Sequence, residues 1–156
     1  MSIVSSIFRN LLGKPVAADF RDSAEHFVVV LREHGIRLTF AKEDLEFVDD
    51  LAERLSKYNE YRDALGCWLG EVLVRNFAGE WVPGHALGPA VRVKTEKGVK
   101  HLFPIGWVYR RCDSITVPSP SGYGTGGETE SIAGKLQREL GYPGQQRKFT
   151  DTGERA

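Results

Sequence analysis

The sequence predicts an α+β fold, and three observations lead to this prediction. The chain has 156 residues, about the length of one domain that buries its own core. In its first half, apolar residues repeat every three or four positions, which is the period of an amphipathic helix. After Gly79 the period changes to two, as in strands, and a helical repeat returns near the C-terminus. We therefore expect N-terminal helices, a small antiparallel sheet packed on a central buried helix, and a C-terminal helix.

Three helical repeats precede the central helix. The first, over residues 3–12, is a short amphipathic helix that either packs on the domain's own core or forms an arm for a membrane surface or a partner. The second, over residues 19–35, places its apolar residues on one face, although the run Val28 to Val30 adds strand character. The third covers residues 41–58.

The third predicted helix is rich in acidic residues. Between Lys42 and Lys57 it has more acids than bases, and most of the acids come early, where the helix dipole favours them. We expect a solvated, mildly acidic face made of Glu43, Asp44, Glu46, Asp49, Asp50 and Glu53.

The central helix is predicted from about Tyr61 to Phe77. It is apolar nearly all round, which indicates a buried helix. Gly66 and Gly70 share one of its faces, and each costs about 1 kcal/mol of helix propensity relative to alanine. We interpret them as a crossing point for another backbone element, with room for a ligand over the bare backbone as the alternative.

Glu71 is the one carboxylate in this apolar stretch. Burial of a charge is costly unless the charge is paired or hydrogen-bonded. Arg75, one turn on, is the expected partner, and the indole N–H of Trp81 and backbone amides of the first strand are further candidates. Glu71 is therefore predicted to tie the helix to the sheet. The functional alternative is an acid or base in a pocket, which would need a second titratable group.

Extended segments follow at 80–82 and 90–95, and Gly98 is expected to supply a positive φ in a hairpin loop. The return strand runs through residues 99–111. Pro104 and Gly106 in it indicate a bulge, an edge or a break, after which Trp107 to Tyr109 resume extended pairing. This makes three or four strands.

The strand region is basic and aromatic. From Ala90 to Cys112 six bases face a single acid, and three aromatic residues are interleaved with them. This composition suits a platform for single-stranded nucleic acid, and equally an ordinary sheet with its core face inward. The candidate binding residues here are Arg92, Lys94, Trp107, Tyr109 and Arg110, beside Glu71, Arg75 and Trp81.

The C-terminal part begins with a loop rich in glycine, serine and proline at 118–127. Its GYGTGG run lacks the lysine of a phosphate-binding loop, so we interpret it as a linker. A last helix is predicted from the apolar residues Ile132, Leu136 and Leu140, with Gly141 and Pro143 ending it. The single domain is expected to span residues 1–143, and residues 144–156 form a polar tail that we expect to be frayed.

Composition narrows the function classes. The 21 basic and 21 acidic residues give no net charge to indicate nucleic acid or membrane as a partner. Cys67 and Cys112 are expected to be reduced, and the four histidines lack metal-ligand spacing, so no metal or cofactor is predicted. The sequence shows no secretory signal and no apolar run long enough to span a membrane, which favours a cytoplasmic protein.

The run LGCWLGEVLVRNFAGEWV, followed by HLFPIGWVYRR, resembles a loose group of small uncharacterised bacterial proteins. In that group a Leu-Gly-Glu helix leads into a Gly-x-Trp strand, and a later strand carries Phe-Pro-Ile. The resemblance covers residues 61–111 and implies an immunity or accessory protein of a bacterial conflict system. The matched positions are Leu69, Gly70, Glu71, Gly79, Trp81, Phe103, Pro104 and Ile105.

These observations lead to one functional hypothesis and two alternatives. The hypothesis is a noncatalytic domain that binds another protein, as an immunity protein does, through the acidic helix or the exposed face of the sheet. The first alternative is nucleic-acid binding by the basic aromatic strands. The second is a small enzyme with Glu71 as its acid or base.

Overall fold

A computed structural model describes residues 15–116 and 130–155, and its architecture is α+β as predicted. Within these residues, five α-helices and a three-stranded antiparallel sheet surround one hydrophobic core. The helix predicted at 3–12 and the loop at 118–127 lie outside the described residues. In chain order the elements are α1 (Ala17–Glu33), a 3-10 helix (Lys42–Phe47), α2 (Val48–Leu55), α3 (Asn59–Asn76), β1 (Glu80–Val82), β2 (Ala90–Thr95), β3 (Gly98–Leu102), α4 (Pro104–Thr116) and α5 (Ile132–Leu140).

Helix α1 is amphipathic, as the spacing of its apolar residues predicts. The Asp19 carboxylate accepts a 2.8 Å hydrogen bond from the Val16 backbone N–H in the first turn. Gly35 follows the helix with φ at +84°, a conformation that glycine adopts without strain. The β-branched run at 28–30 remains helical because one face of the helix packs into the core.

The acidic segment, residues 42–53, does not form one continuous α-helix. Its first part is the 3-10 helix and only the second part is α2. Asp44 lies in the 3-10 helix, and Thr39 precedes this helix. The Asp44 carboxylate accepts hydrogen bonds from the backbone N–H and the hydroxyl of Thr39, at 2.7 and 2.8 Å. Such bonds from an aspartate to nearby backbone compete with regular helix formation.

Helix α3 is the centre of the molecule. Trp68 and Val72 are fully buried in it, as the apolar pattern predicts. Helix α1, helix α4 and the sheet all pack against α3. Because several of its sides are covered by other elements, α3 can be apolar nearly all round.

The two glycines of α3 mark close approaches, as predicted. A Cβ atom on Gly66 would lie 2.6 Å from the Cα of Ile105, at the start of α4. A Cβ atom on Gly70 would lie 2.2 Å from the Trp81 ring. A backbone element therefore crosses at Gly66, and an indole ring, rather than space for a ligand, covers Gly70.

The sheet has the order β1-β2-β3. Trp81 stands opposite Val91, and Val93 stands opposite Lys100. Gly98, in the hairpin between β2 and β3, has φ at +115°, which confirms the predicted turn. The base of the hairpin packs into the core through Val91, Val93 and Leu102, whereas its turn at residues 96–99 is exposed.

The prediction that residues 107–109 resume a strand is wrong, because they lie in helix α4. Proline suits the first turn of a helix, since its missing N–H would have no helical acceptor there. The Trp107 backbone N–H donates to the Phe103 carbonyl over 2.8 Å, and the helix continues from there. Ile105, Val108 and Cys112 are buried at helical spacing.

The C-terminal helix α5 and the segment after it both pack on the domain. The Ser131 hydroxyl caps α5 by accepting a 3.0 Å bond from the Gly134 backbone N–H, and Gly141 ends the helix with φ at +66°. The expectation of a frayed tail is wrong. Phe149 is only 3% exposed, and its ring stacks on Phe47 with the ring centroids 4.3 Å apart.

Candidate functional site

Glu71 lies in the interior with the partners that the sequence predicts. Its side chain is buried, and Oε1 accepts a 3.0 Å bond from Nε of Arg75. Oε2 accepts a 3.1 Å bond from the indole N–H of Trp81. Arg75 also reaches Glu25 over 3.1 Å, and its guanidinium lies 3.9 Å from the ring centroid of Phe40. Both carboxylate oxygens of Glu71 thus have partners.

The surroundings of Glu71 offer little for acid-base catalysis. Its two partners, Arg75 and Trp81, act only as hydrogen-bond donors, because neither a guanidinium nor an indole N–H can accept a proton near neutral pH. Cys67 lies one turn earlier and is fully buried. Burial, followed by the charge of Asp63, raises the pKa of the Cys67 thiol far above its usual range, so this thiol is a poor nucleophile.

The three aspartates of the acidic segment, Asp44, Asp49 and Asp50, are buried, so the prediction of one solvated acidic face is wrong. Asp44 is 2% exposed and pairs with both terminal nitrogens of Arg155, each at 2.7 Å. Asp50 accepts bonds from the Phe149 backbone N–H and from Nε of Arg54, both at 2.9 Å. These two aspartates hold the C-terminal segment against the domain.

Asp49 and Glu46 bind the C-terminal half of the chain in the same way. The two oxygens of Asp49 accept bonds of 2.9 Å from the backbone N–H groups of Ile132 and Ala133. Asp49 therefore caps helix α5, whose first N–H groups have no helical acceptor. Glu46 accepts a 3.0 Å bond from the Gln145 backbone N–H. Glu43 and Glu53 are the acids of the segment that remain exposed.

The predicted basic aromatic platform is not formed. Trp107, Tyr109 and Arg110 lie on helix α4, apart from the strands that carry Arg92 and Lys94. The guanidinium of Arg62 lies 5.6 Å from the Tyr109 ring centroid. These aromatic rings are partly buried against neighbouring helices, so they are not arrayed on a sheet for base stacking.

The β2–β3 hairpin exposes a basic face. Lys94 stands opposite Val99, and Arg92 stands opposite His101, so these four residues share the outer face of the sheet. Val99 is 52% exposed. Arg92 pairs with Glu80 over 2.9 Å, whereas the Lys94 side chain makes no ion pair with any residue in 15–116 or 130–155.

A groove of about 510 Å³ lies between this hairpin and the C-terminal end of α5. Apolar side chains of Phe77, Val93 and Leu140 contribute to its lining. Four basic residues and two acidic residues also line it: Lys94, Lys97, Lys100, Arg138, Glu96 and Glu139.

The charges of this groove are only partly compensated. Glu139 pairs with both Lys100, at 3.1 Å, and Arg138, at 3.3 Å. The ammonium groups of Lys94 and Lys97 have no carboxylate partner within the described part of the chain. The groove is therefore an open basic surface with an apolar component.

Sequence reasoning missed two buried cations, Arg62 and Lys135, each 7% exposed. Arg62 donates to the Ser56 carbonyl at 2.8 Å and to Asp113 at 2.6 Å. The pairing with Asp113 joins segments that are 51 residues apart, so no local pattern could have indicated it. Among the described residues, no group of three or more metal-ligating side chains is close enough to hold a metal ion.

No protein-family model, curated protein or solved structure matches this chain. Over the residues that the structure describes, no helix has the length and apolar character needed to cross a membrane.

Proposed function

We propose that this chain is a noncatalytic protein-binding domain whose β2–β3 hairpin and adjoining groove dock on an acidic surface of the partner. One observation carries the proposal: the hairpin presents uncompensated lysines beside an open groove. The acidic segment, by contrast, uses most of its carboxylates inside the domain. The hairpin is thus the better of the two candidate surfaces.

Charge favours an acidic partner. Lys94 and Lys97 are exposed, and an opposing carboxylate would complete pairs that the domain itself leaves open. Complementary charge of this kind speeds association and selects the partner. The apolar part of the groove, which includes Phe77 and Leu140, can receive an apolar side chain next to those carboxylates.

A binding role also agrees with the interior position of the candidate catalytic acid. Glu71 has both oxygens occupied by Arg75 and Trp81. An inhibitor or immunity protein of a bacterial conflict system, which the sequence resemblance implies, needs complementary shape and charge and no nucleophile. Such a protein would act in the cytoplasm on a partner with an acidic binding surface.

The proposal is tested by capture from a nuclease-treated lysate of the cells that encode the chain. Wild-type protein is compared with Lys94→Glu/Lys97→Glu, which reverses the charge of the hairpin. The matched control is Lys42→Glu/Lys57→Glu, since these two lysines are also exposed but flank the acidic segment. We expect one stoichiometric protein with the wild type and the control, and at least about tenfold weaker capture by the hairpin variant.

Two results would contradict the proposal. In the first, the hairpin variant and the wild type capture the same protein equally well. In the second, the purified chain is retained on single-stranded DNA at physiological salt, and this retention falls steeply as salt is raised, which is the signature of phosphate contacts.

A further inference from the structure

Strand β3 is an edge of the sheet, because within the described part of the chain it pairs with β2 on one side only. Val99 is 52% exposed, and Gly98 and His101 are exposed as well. A strand edge of this kind is a template on which another extended chain can pair.

The backbone groups that face this edge are those of Val99 and His101. In an antiparallel pair, residues that exchange hydrogen bonds alternate with residues that do not. The two-residue turn makes Thr95 and Gly98 a bonded pair, so Val99 and His101 direct their N–H and C=O groups away from β2. None of these four groups makes a hydrogen bond with a residue in 15–116 or 130–155.

The features that ordinarily keep a strand edge from pairing are weak in β3. Short length, proline and lysine are three such features. Strand β3 has five residues and no proline, and five residues is close to the usual strand length. Its one lysine, Lys100, lines the groove and pairs with Glu139 over 3.1 Å. The edge is therefore open to an added strand.

The charge around this edge favours an acidic strand. Lys94 stands opposite Val99 on the outer face of the sheet, and Lys97 lies in the adjoining turn. Side chains of an added strand would alternate between the outer face and the groove. Carboxylates on the outer face would thus lie on the side of Lys94, and apolar side chains would lie toward the groove. A second copy of this chain fits less well, since pairing β3 with β3 would bring two basic hairpins together.

We infer that an extended acidic segment of the partner protein adds to β3 as a fourth strand, bonded to the backbone of Val99 and His101. In this mode of recognition the main-chain bonds give affinity, and the alternate side chains give specificity. The inference rests on the proposed function, because it assigns to the same hairpin the form in which the partner binds.

The strand addition is tested with a short synthetic peptide that alternates glutamate and valine, titrated into the ¹⁵N-labelled full chain. We expect saturable resonance shifts centred on residues 98–102. Amide exchange of Val99 and His101 should slow by at least about tenfold, because newly bonded amides exchange only after opening. The same peptide with lysine in place of glutamate should not bind. No saturable binding of the acidic peptide, or unchanged exchange at both amides, would overturn the inference.

The deciding variant is His101→Pro, and its matched control is His101→Ala. Both variants lose the imidazole ring and its contact with His85. Proline also removes the outward N–H of residue 101 without removing a bond to β2, and edge strands tolerate proline at such a position. We expect His101→Pro to bind the acidic peptide at least about tenfold more weakly than His101→Ala does. Equal binding by the two folded variants would overturn the inference, and if His101→Pro does not fold, the exchange of the wild-type amides decides.

The inference and the proposed function can fail separately in the capture experiment. If Lys94→Glu/Lys97→Glu loses the partner while His101→Pro and His101→Ala capture it equally, the proposed function stands and strand addition is overturned. If the acidic peptide binds at β3 while the charge reversal leaves capture unchanged, the proposed function is contradicted instead.

Discussion

The indole N–H of Trp81 donates a 3.1 Å hydrogen bond to Oε2 of Glu71, and this bond fastens strand β1 to the central helix α3. The Trp81 ring also stacks on Phe20, with the centroids 4.5 Å apart. The other oxygen of Glu71 is held by Arg75, which in turn pairs with Glu25 on helix α1, so Glu71 links β1, α3 and, through Arg75, α1. A carboxylate placed in this way stabilises the packing of sheet on helix.

The close approaches at the glycines of α3 predict that Gly66→Ala and Gly70→Ala are destabilising. At Gly66 the added Cβ would meet the backbone of Ile105 at 2.6 Å. At Gly70 it would meet the Trp81 ring at 2.2 Å, and that ring is held by its stacking and hydrogen bond. We expect each variant to lose about 1–3 kcal/mol of unfolding free energy, measured by urea denaturation.

Gly106→Ala is the matched control for these two variants. Gly106 lies in helix α4, and its added Cβ would have only an ordinary contact of 3.7 Å with Phe103. The gain in helix propensity, about 1 kcal/mol, should make this variant as stable as the wild type or more so. Equal stability of Gly66→Ala and Gly106→Ala would show that no close crossing exists at Gly66.

The central helix and its ties could be predicted because their signals are local. Glu71 and Arg75 are four residues apart, so one helical turn brings them together. Gly66 and Gly70 have the same spacing. A glycine within a helix lowers the stability of that helix, and only a close approach of another group at the glycine can offset this loss. Tertiary contacts did not need to be known for these predictions.

The packing of Phe149 predicts that the C-terminal segment contributes to stability. Phe149→Ala removes a buried ring that stacks on Phe47. We expect a loss of about 3–5 kcal/mol in the free energy of unfolding, measured by urea denaturation. Lys148→Ala, at the exposed neighbouring position, should change stability little. Equal stabilities for the two variants would mean that the tail is frayed after all.

Capping by Asp49 predicts that Asp49→Ala loosens helix α5. The backbone N–H groups of Ile132 and Ala133 would lose their acceptors, at a cost of about 1–2 kcal/mol. Amide hydrogen exchange should accelerate in the first turn of α5, whereas Glu53→Ala, at an exposed position on α2, should leave exchange there unchanged. Unchanged exchange in Asp49→Ala would contradict the capping role.

The roles of the acidic segment and of helix α4 could not be predicted for physical reasons. Asp44 and Arg155 are far apart in sequence, so their pairing depends on the complete fold and leaves no local pattern. In α4, the short apolar run around Trp107 fits a strand or a helix equally well. The contact of Ile105 with Gly66 was the information that sequence reasoning lacked.

The partly buried carboxyl group of Asp63 should make the free energy of unfolding depend on pH. Burial raises its pKa above the ordinary 3.8, and a hydrogen bond from Tyr109 opposes only part of this effect. The folded state therefore binds this proton more tightly than the unfolded state does. The contribution of Asp63 to stability consequently decreases as pH rises from about 3.8 through its raised pKa. Asp63→Asn should gain stability relative to wild type across this window and keep a constant advantage above it. A difference in unfolding free energy that does not vary with pH would contradict this prediction.

The most direct test of the account compares stability and partner binding in Glu71→Gln and Lys94→Glu/Lys97→Glu. We predict that Glu71→Gln lowers the free energy of unfolding by about 1–3 kcal/mol. Under conditions in which this variant is folded, it should capture the partner as well as the wild type does. The hairpin variant should keep wild-type stability and lose at least about tenfold in capture. The reverse pattern, in which Glu71→Gln abolishes binding without loss of stability and the hairpin variant binds normally, would contradict the account.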